Sequence, residues 1–443
     1  MNLTYIASST TIVEHKNTKI LTDPWVIGEP FFGSWTHYPK VEPNLDILNS
    51  VNYIYISHIH QDHADEETLK AISDDIPILI YDFLSPGLKL RLESYGKKVI
   101  TLKHGEEFDC GDGLKISIWI ADNCDPEVCF KHFGCGKMEK DFRSSTIDTL
   151  AVFSNGDKTI LNTNDCPYTL SKNTVKKILS KYPKIDLLLT GYAGASAYPQ
   201  CFENYSNEEK LNYYGDKYRK LNLDFSDKFI EHTNPTTYMP FAGTYTLSGK
   251  LAKLEKYKGV VTLEEALKYF KSKHKSRGIL LNSWEYFDLN TEKLSSPYIP
   301  IDYEKRKEYI KNVLSKKKFT YEYNSTPTLD EILDLIPGAY ERFEKMRNNL
   351  EYSNEIKVYI YLSFNKLLEL SFNGDGYKII DEEELNKDNF LSYKLDPKLL
   401  YLILKGPKYA HWNYCEGGSH ITFNRNPDIH HRAVAYCMNY FHN

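Results

Sequence analysis

Long apolar runs are missing from this chain of 443 residues. No segment approaches the roughly 20 consecutive apolar residues that a membrane helix requires, so we expect no membrane-spanning segment. The first residues, Met-Asn-Leu-Thr-Tyr-Ile, also lack the basic segment followed by an apolar stretch that marks a secretory leader. These absences predict a soluble cytoplasmic protein.

Cysteine and excess charge are scarce as well. Eight cysteines are scattered along the chain, which argues against a disulfide framework and suits a reducing compartment. The net charge is only -5 and the two signs are interspersed, so we expect binding neither to nucleic acid nor to an anionic membrane. Internal repeats and low-complexity linkers are also absent. The length allows two or three ordinary globular domains.

The most informative stretch is Ser-His-Ile-His-Gln-Asp-His at residues 57–63, which directly follows the apolar run Tyr-Ile-Tyr-Ile. The β-branched and aromatic character of that run predicts a buried strand. His58 and His60 are two residues apart, so they point the same way in extended backbone. Asp62 and His63 lie where the chain turns and can reach a second ion. Imidazoles and carboxylates are ligands that suit zinc, iron and manganese, so the stretch predicts a metal site.

This motif and its surroundings resemble the metallo-β-lactamase superfamily. The residues 18–25, Thr-Lys-Ile-Leu-Thr-Asp-Pro-Trp, look like the early strand of that superfamily with its Asp-Pro ending. The residues 159–165, Thr-Ile-Leu-Asn-Thr-Asn-Asp, look like the later strand whose terminal aspartate bridges two metals. Further islands resemble the CMP-N-acetylneuraminic acid hydroxylase family, namely residues 161–166, 193–199, 240–243 and 425–431. The resemblance is patchy but spans almost the whole chain.

Hydroxylases of that family also carry a Rieske iron–sulfur domain. This sequence contains no Cys-x-His paired with a Cys-x-x-His, so we expect the electron-transfer module to be missing. The hydroxylase activity therefore does not follow directly from the resemblance.

The resemblance implies an α/β fold, a metallo-β-lactamase-like αββα sandwich, for residues 1–250. Short β-rich runs alternating with turns and helical patterns in this region agree with that fold. Residues 251–325 are expected to form a mostly helical connecting region. Residues 326–443 are expected to form an α+β domain, whose order of helix, strands, short helix and strand looks like a sterol-carrier-like module, a fold analogy alone.

On the superfamily pattern, His58 and His60 bind one metal ion, Asp62 and His63 bind the second, and Asp165 bridges the two. Two ions about 3.5–4 Å apart can share an activated water and polarise a substrate oxygen. Asp62 and Asp165 are the expected catalytic residues, which orient that water. The expected cofactors are two divalent ions, zinc or iron, with manganese as a further fit.

The superfamily usually supplies a third histidine to the first metal, between Asp62 and the bridging aspartate. That histidine is not obvious here. The candidates for this ligand are Asp125, Glu127, His132 and Asp148. A carboxylate at this position would tilt the site from zinc toward iron or manganese.

A second polar cluster occupies residues 411–420 and contains His411 and His420. One interpretation is that it folds over the metal site and supplies a ligand or substrate contacts. The other is a hydrogen-bonded turn in the C-terminal domain. The sequence does not choose between them.

Two enzymatic functions follow. The first is a dinuclear metal-dependent hydrolase that attacks a phosphoryl or acyl centre with activated water. The alternative is a diiron oxygenase that uses dioxygen and electrons from a separate reductase. By resemblance, the expected substrate of either enzyme is a small molecule such as a nucleotide-linked sugar. A non-enzymatic, metal-stabilised binding module is disfavoured, because structural zinc sites are usually closed and need no second set of ligands.

Overall fold

The computed structural model of the chain describes residues 1–122, 148–363 and 365–443. Two sheets of this part of the chain pack face to face. The first sheet contains, side by side, Lys293–Leu294, Tyr286–Asp288, Asn2–Ala7, Thr10–His15, Thr18–Thr22, Tyr53–Tyr55, Ile78–Tyr81 and Val99–Leu102. The second contains Arg277–Gly278, Thr237–Phe241, Leu187–Gly191, Thr159–Asn162, Thr149–Ser154, Leu114–Ile120 and Glu107–Gly111.

The strand Thr149–Ser154 shows why both faces of the second sheet are covered. Its side chains alternate, so Ala151 and Phe153 lie in the core between the sheets. Leu150 and Val152 lie in the core on the opposite face. A strand with two apolar faces must be buried on both sides.

Helices cover the two outer faces. The first sheet packs against Leu45–Asn49, Glu66–Ala71 and Gly87–Ser94. The second packs against Lys172–Lys181, Gly215–Thr233 and Leu263–Lys273. The predicted αββα sandwich is therefore confirmed.

Parallel strands bring several loops to one edge of the sandwich. In the first sheet, Thr18–Thr22 runs parallel to Tyr53–Tyr55. In the second sheet, Thr159–Asn162 runs parallel to Leu187–Gly191. Loops that follow the carboxyl ends of parallel strands are the usual place for ligand sites in α/β sheets.

The C-terminal part of the chain forms a third sheet with its own core. Its strands lie in the order Tyr377–Asp381, Lys366–Phe372, Asn354–Ser363, Phe390–Lys394 and Thr422–Asn426. Its helices are Leu329–Leu333, Ile336–Asn349, Pro397–Leu404, Trp412–Gly417 and Arg432–Met438. Phe343 is fully buried at the centre of this core. The C-terminal part thus contains both helices and strands, as expected for an α+β arrangement.

The segment between these parts differs from the mostly helical connection expected for residues 251–325. It contains the helices Leu263–Lys273 and Tyr303–Asn312, but it also adds edge strands to both sheets. The reason is a long-range pairing, since Tyr286–Asp288 pairs antiparallel with the start of the first strand at Asn2. The domain boundary at residue 250 stays a prediction.

The remaining short elements join these layers. They are Pro30–Gly33, the paired strands Trp35–Thr36 and Thr246–Leu247, the helix Asn207–Glu209, the π-helical turn Lys210–Tyr214, and the 3-10 segments Tyr168–Leu170, Gly249–Tyr257, Leu314–Lys316, Thr320–Tyr323 and Glu382–Glu384. Throughout the described ranges, none of the helices combines the length and the apolarity that crossing a membrane requires.

Asp65 ties the start of the helix Glu66–Ala71 to the neighbouring loop. Its carboxylate, 4% exposed, accepts hydrogen bonds from the N–H groups of Thr68 and Gly28, both at 2.9 Å. We expect Asp65→Ala to lower the free energy of unfolding by about 2 kcal/mol, because it removes a helix cap and leaves the Gly28 N–H unpaired. Denaturant unfolding followed by tryptophan fluorescence measures this loss.

Asp302 offers a matched control, since it caps the exposed helix Tyr303–Asn312 through the N–H of Lys305 at 3.0 Å. Asp302→Ala loses this cap and an exposed ion pair with Lys305, and should cost about 1 kcal/mol or less. Equal losses in the two variants would contradict the role assigned to Asp65.

Candidate metal centre

The loop of residues 57–63 begins at the carboxyl end of the strand Tyr53–Tyr55. Its backbone is anchored at Ser57, whose N–H donates to Oδ1 of Asp23 at 2.7 Å. Asp23 itself follows the neighbouring parallel strand Thr18–Thr22. The two strand ends are adjacent, so residues far apart in sequence meet at this edge.

Two imidazoles of this loop face each other. Nε2 of His58 lies 2.8 Å from Nδ1 of His60. The opposite nitrogen of His58, Nδ1, lies 2.9 Å from Oγ of Ser57. Oδ2 of Asp165 lies 4.0 Å from Nε2 of His58. Ligand atoms of these two histidines and Asp165 all lie within 4.8 Å of one another, a first donor set.

A second donor set shares one residue with the first. Nε2 of His63 lies 3.5 Å from Oδ2 of Asp62 and 3.3 Å from Oδ2 of Asp165. Ligand atoms of these three residues also lie within 4.8 Å of one another. The five predicted site residues therefore meet, and Asp165 lies in both sets, where a bridging ligand is expected. That they bind metal stays a prediction.

A hydrogen-bond network between the two sheets positions the Asp165 loop. The hydroxyls of Tyr55 and Thr149 lie 2.8 Å apart. Nδ2 of Asn164 donates to the Tyr55 hydroxyl at 3.2 Å and to the Thr149 carbonyl at 3.1 Å. Asn164 has a positive φ of 46°, which asparagine tolerates better than most residues. This network fixes the residue before Asp165 against the strand that leads to His58.

Asp23 contacts Nδ1 of His63, the ring nitrogen that does not face the donor set. Its carboxylate is fully buried, and its Oδ2 lies 2.9 Å from Nδ1 of His63 and 2.9 Å from Oγ of Ser57. A carboxylate on the outer nitrogen of a metal-binding histidine fixes the ring and its tautomer. In the sequence, Asp23 is visible only as part of an Asp-Pro strand ending. Its place at the end of the strand beside Tyr53–Tyr55 is the signal that points to this role.

The electrostatics of the two facing imidazoles favour the neutral form. Burial, then the neighbouring His63 and His60, hold the pKa of His58 well below its usual range. Burial lowers the pKa of His60 to about 4. Neutral imidazoles are the form that binds metal ions.

The second donor set is charged. Burial lowers the pKa of His63, but the surrounding carboxylates, Asp165 first, outweigh burial and raise it well above the usual range. Burial raises the pKa of Asp165, and the nearby His63 overrides burial and holds it below the usual range. Burial raises the pKa of Asp62 to about 7. Without metal, the surrounding carboxylates thus favour the protonated form of His63.

Of the four candidates for the third ligand, the structure describes only Asp148. Asp125, Glu127 and His132 lie outside the described residues. Burial, and then the charge of Asp165, raise the pKa of Asp148 to about 7. Among the described residues, Asp148 is outside both donor sets, so the choice of third ligand stays open among these predictions.

The segment 411–420 contains a hydrogen-bonded turn and also a contact with the candidate metal centre. His411 begins the helix Trp412–Gly417, where its Nδ1 accepts the Asn413 N–H at 3.2 Å. His420 is buried, with Nε2 at 2.8 Å from the carbonyl of Phe31 and Nδ1 at 3.2 Å from the Tyr321 hydroxyl. Within the described part of the chain, neither histidine belongs to a donor set. Sequence analysis missed Asn413, whose Oδ1 lies 3.0 Å from Nε2 of His60.

The donor sets fit divalent metal ions by their chemistry. They combine three imidazoles and two carboxylates in a largely buried site, and zinc, iron and manganese all accept such nitrogen and oxygen ligands. Oxygen and nitrogen donors alone do not distinguish among these metals.

The comparison with known families agrees with the fold. Residues 2–165 match the family model of the beta-lactamase superfamily domain. The N-terminal part of the chain is thus a domain of this superfamily, and the chain extends well beyond it.

Two curated relatives of the chain are named as hydroxylases. The chain is 30% identical over 253 residues to the cytidine monophosphate-N-acetylneuraminic acid hydroxylase of Asterias rubens, covering 55% of this chain and 35% of that protein. It is 27% identical over 258 residues to the hydroxylase of Danio rerio, covering 56% of this chain and 38% of that protein. The chain therefore spans less than half of the length of these relatives.

A solved structure of similar topology is the isothiocyanate hydrolase from Delia radicum gut bacteria. It aligns with a TM-score of 0.43 and 18% identity, covering 65% of this chain and 98% of that protein.

The substitution Asp23→Asn tests whether the carboxylate of Asp23 orients the ring of His63. We expect Asp23→Asn to weaken binding of one of the two ions by about 10- to 100-fold, because the ring of His63 loses the carboxylate that orients it. Titration of the metal-free protein with Zn²⁺ in competition with a chelator measures the affinity. Asp186→Asn is the matched control, since Asp186 is also buried and accepts a backbone N–H, that of Thr159 at 2.9 Å. Unchanged affinity in Asp23→Asn would contradict this role.

The proton on His63 makes metal uptake depend on pH. Because the pKa of His63 is raised well above its usual range, an ion must displace that proton. We expect the apparent affinity for Zn²⁺ to rise between about pH 6 and about pH 8, by up to about tenfold per unit for each proton released. Calorimetry in buffers of different ionisation enthalpy counts the released protons. An affinity that stays constant over this range contradicts the assignment.

Proposed function

We propose that this protein is a dinuclear metal-dependent hydrolase that activates water for attack on a phosphoryl or acyl centre. The observation that carries the proposal is the pair of donor sets built on the shared carboxylate of Asp165. Two divalent ions held there would supply Lewis acidity, which lowers the pKa of water and stabilises negative charge on the substrate.

The burial of the site residues indicates where a substrate enters. The side chains of His58 and His63 are 0% and 1% exposed, whereas that of Asp165 is 30% exposed. Asp165 therefore lies on the open side of the centre. A carboxylate there can accept a hydrogen bond from the attacking water and orient it toward the substrate. Asp62, which is 8% exposed, supports the inner side of the same centre.

A second candidate function is a diiron oxygenase. The similar proteins from Asterias rubens and Danio rerio are named as hydroxylases, and these names favour an oxygenase. So does Asp148, a candidate carboxylate ligand whose pKa is raised by burial and then by the charge of Asp165. Hydroxylation would place one oxygen atom of dioxygen in a substrate C–H bond and release the other as water. The two electrons and two protons for that balance would come from a separate reductase and the solvent.

For either reaction, we propose a nucleotide-linked sugar as the substrate. The name of the relatives supports this class, since their substrate is a cytidine monophosphate-linked sugar acid.

Metal content separates the two functions. We expect protein purified without added metal to hold about two ions per chain. Two zinc ions and no colour support the hydrolase, and the protein should then cleave phosphodiesters or nucleotide sugars without dioxygen. Two irons, with a near-ultraviolet charge-transfer band that bleaches on reduction, support the oxygenase. Elemental analysis and absorption spectra under air distinguish these results.

The same measurement tests the ligands. The double variant His60→Ala with Asp165→Ala should hold little metal, because each donor set loses at least one member. The matched control replaces His232 and Asp157, an imidazole and a carboxylate on the exposed surface, with alanine. Full metal retention in the first double variant contradicts the proposed centre.

A further inference from the structure

A side chain of the C-terminal part of the chain contacts one of the predicted metal ligands. Oδ1 of Asn413 lies 3.0 Å from Nε2 of His60, and the two residues are 353 positions apart in sequence. We propose that Asn413 is a positioning residue of the metal centre, which orients His60 to bind the first ion through Nδ1. This inference rests on the metal centre of the proposed function and extends it into the C-terminal part.

The two nitrogens of His60 have different surroundings. Nδ1 faces Nε2 of His58 at 2.8 Å, so an ion between the two rings would contact both nitrogens. With Nδ1 bound to the ion, Nε2 must carry the proton of the neutral ring. A proton there requires an acceptor, and the amide oxygen of Asn413 occupies that position.

The helix that carries Asn413 is fixed on both sides of this residue. Trp412 is 2% exposed, and its Nε1–H donates to the Phe441 carbonyl at 2.9 Å inside the C-terminal core. The hydroxyl of Tyr414 accepts from Nη1 of Arg91 at 2.6 Å and donates to the Ile59 carbonyl at 3.5 Å. The Asn413 side chain is therefore held against the metal-binding loop by neighbours that do not touch the imidazoles.

Arg91 connects Tyr414 to the residue that follows the loop 57–63. Nη2 of Arg91 donates to the carbonyl of Ala64 at 3.1 Å, one residue beyond His63. Further along the chain, His420 contacts the carbonyl of Phe31, and the Phe31 N–H donates to Oε1 of Gln61 at 2.6 Å. The C-terminal part thus contacts the loop at several points, but only Asn413 is hydrogen-bonded to a predicted ligand among the described residues.

The test is a titration of the metal-free full-length protein with Co²⁺, followed by visible absorption, and with Zn²⁺ in competition with a chelator. We expect Asn413→Leu to weaken binding of one ion by about 10- to 100-fold, the usual effect of losing a partner of a metal-binding histidine. The Co²⁺ spectrum of that site should shift, while the second ion keeps its affinity within a few-fold. Asn413→Ala, which removes the acceptor without adding bulk, carries the same expectation.

Two variants separate orientation of His60 from attachment of the helix. Asn413→Asp keeps an oxygen acceptor and should bind the first ion at least as tightly as the unmodified protein. Tyr414→Phe removes the hydrogen bonds with Arg91 and Ile59 but leaves Asn413 in place, so its metal affinity should be unchanged. If Tyr414→Phe loses as much affinity as Asn413→Leu, helix attachment is the cause and the proposal is wrong.

A double-mutant cycle shows whether Asn413 acts through His60. In the His60→Ala background, Asn413→Leu should cause no further loss of affinity, because its partner is already missing. The same loss in both backgrounds overturns the proposal, as does an unchanged affinity of Asn413→Leu. Failure of the unmodified protein to bind any ion would instead remove the proposed function itself.

Discussion

The buried carboxylate of Asp23 is the contact on which the geometry of this edge depends. It has no exposure, yet it accepts hydrogen bonds from the backbone and hydroxyl of Ser57 and lies against the ring of His63. A buried charge without such partners would be costly. The same contacts that compensate the burial of Asp23 also fix the first and last residues of the loop 57–63, so stability and site geometry have one cause.

Both sheets contribute to the centre, and beside it the contact between them is polar. Tyr55, Thr149 and Asn164 form a hydrogen-bonded bridge directly beneath the donor sets. The apolar core between the sheets, which includes Phe153 and Leu189, is non-directional and sets only their separation. Directional bonds are needed to place Asp165 opposite the histidines.

The N-terminal fold and the grouping of the five candidate donor residues could be predicted from the sequence, because short motifs carry the resemblance to the superfamily. The strand before His58 is visible as a β-branched and aromatic run, and all predicted ligands except Asp165 lie within residues 58–63. The partners of these ligands could not be predicted in the same way. Asp23 is 40 residues from His63, and Asn413 is 353 residues from His60. Their contacts depend on which strands and which helix lie adjacent, and that is decided by packing across the whole chain.

The helix Trp412–Gly417 touches the loop that holds the predicted ligands, although the two belong to separate cores. This contact has a consequence for the evolution of the chain. A domain recombined onto a different C-terminal partner would keep its ligands but lose the amide that faces His60. The two parts of this chain are therefore expected to be inherited as a pair, and substitutions on either side of their contact should be retained or lost together.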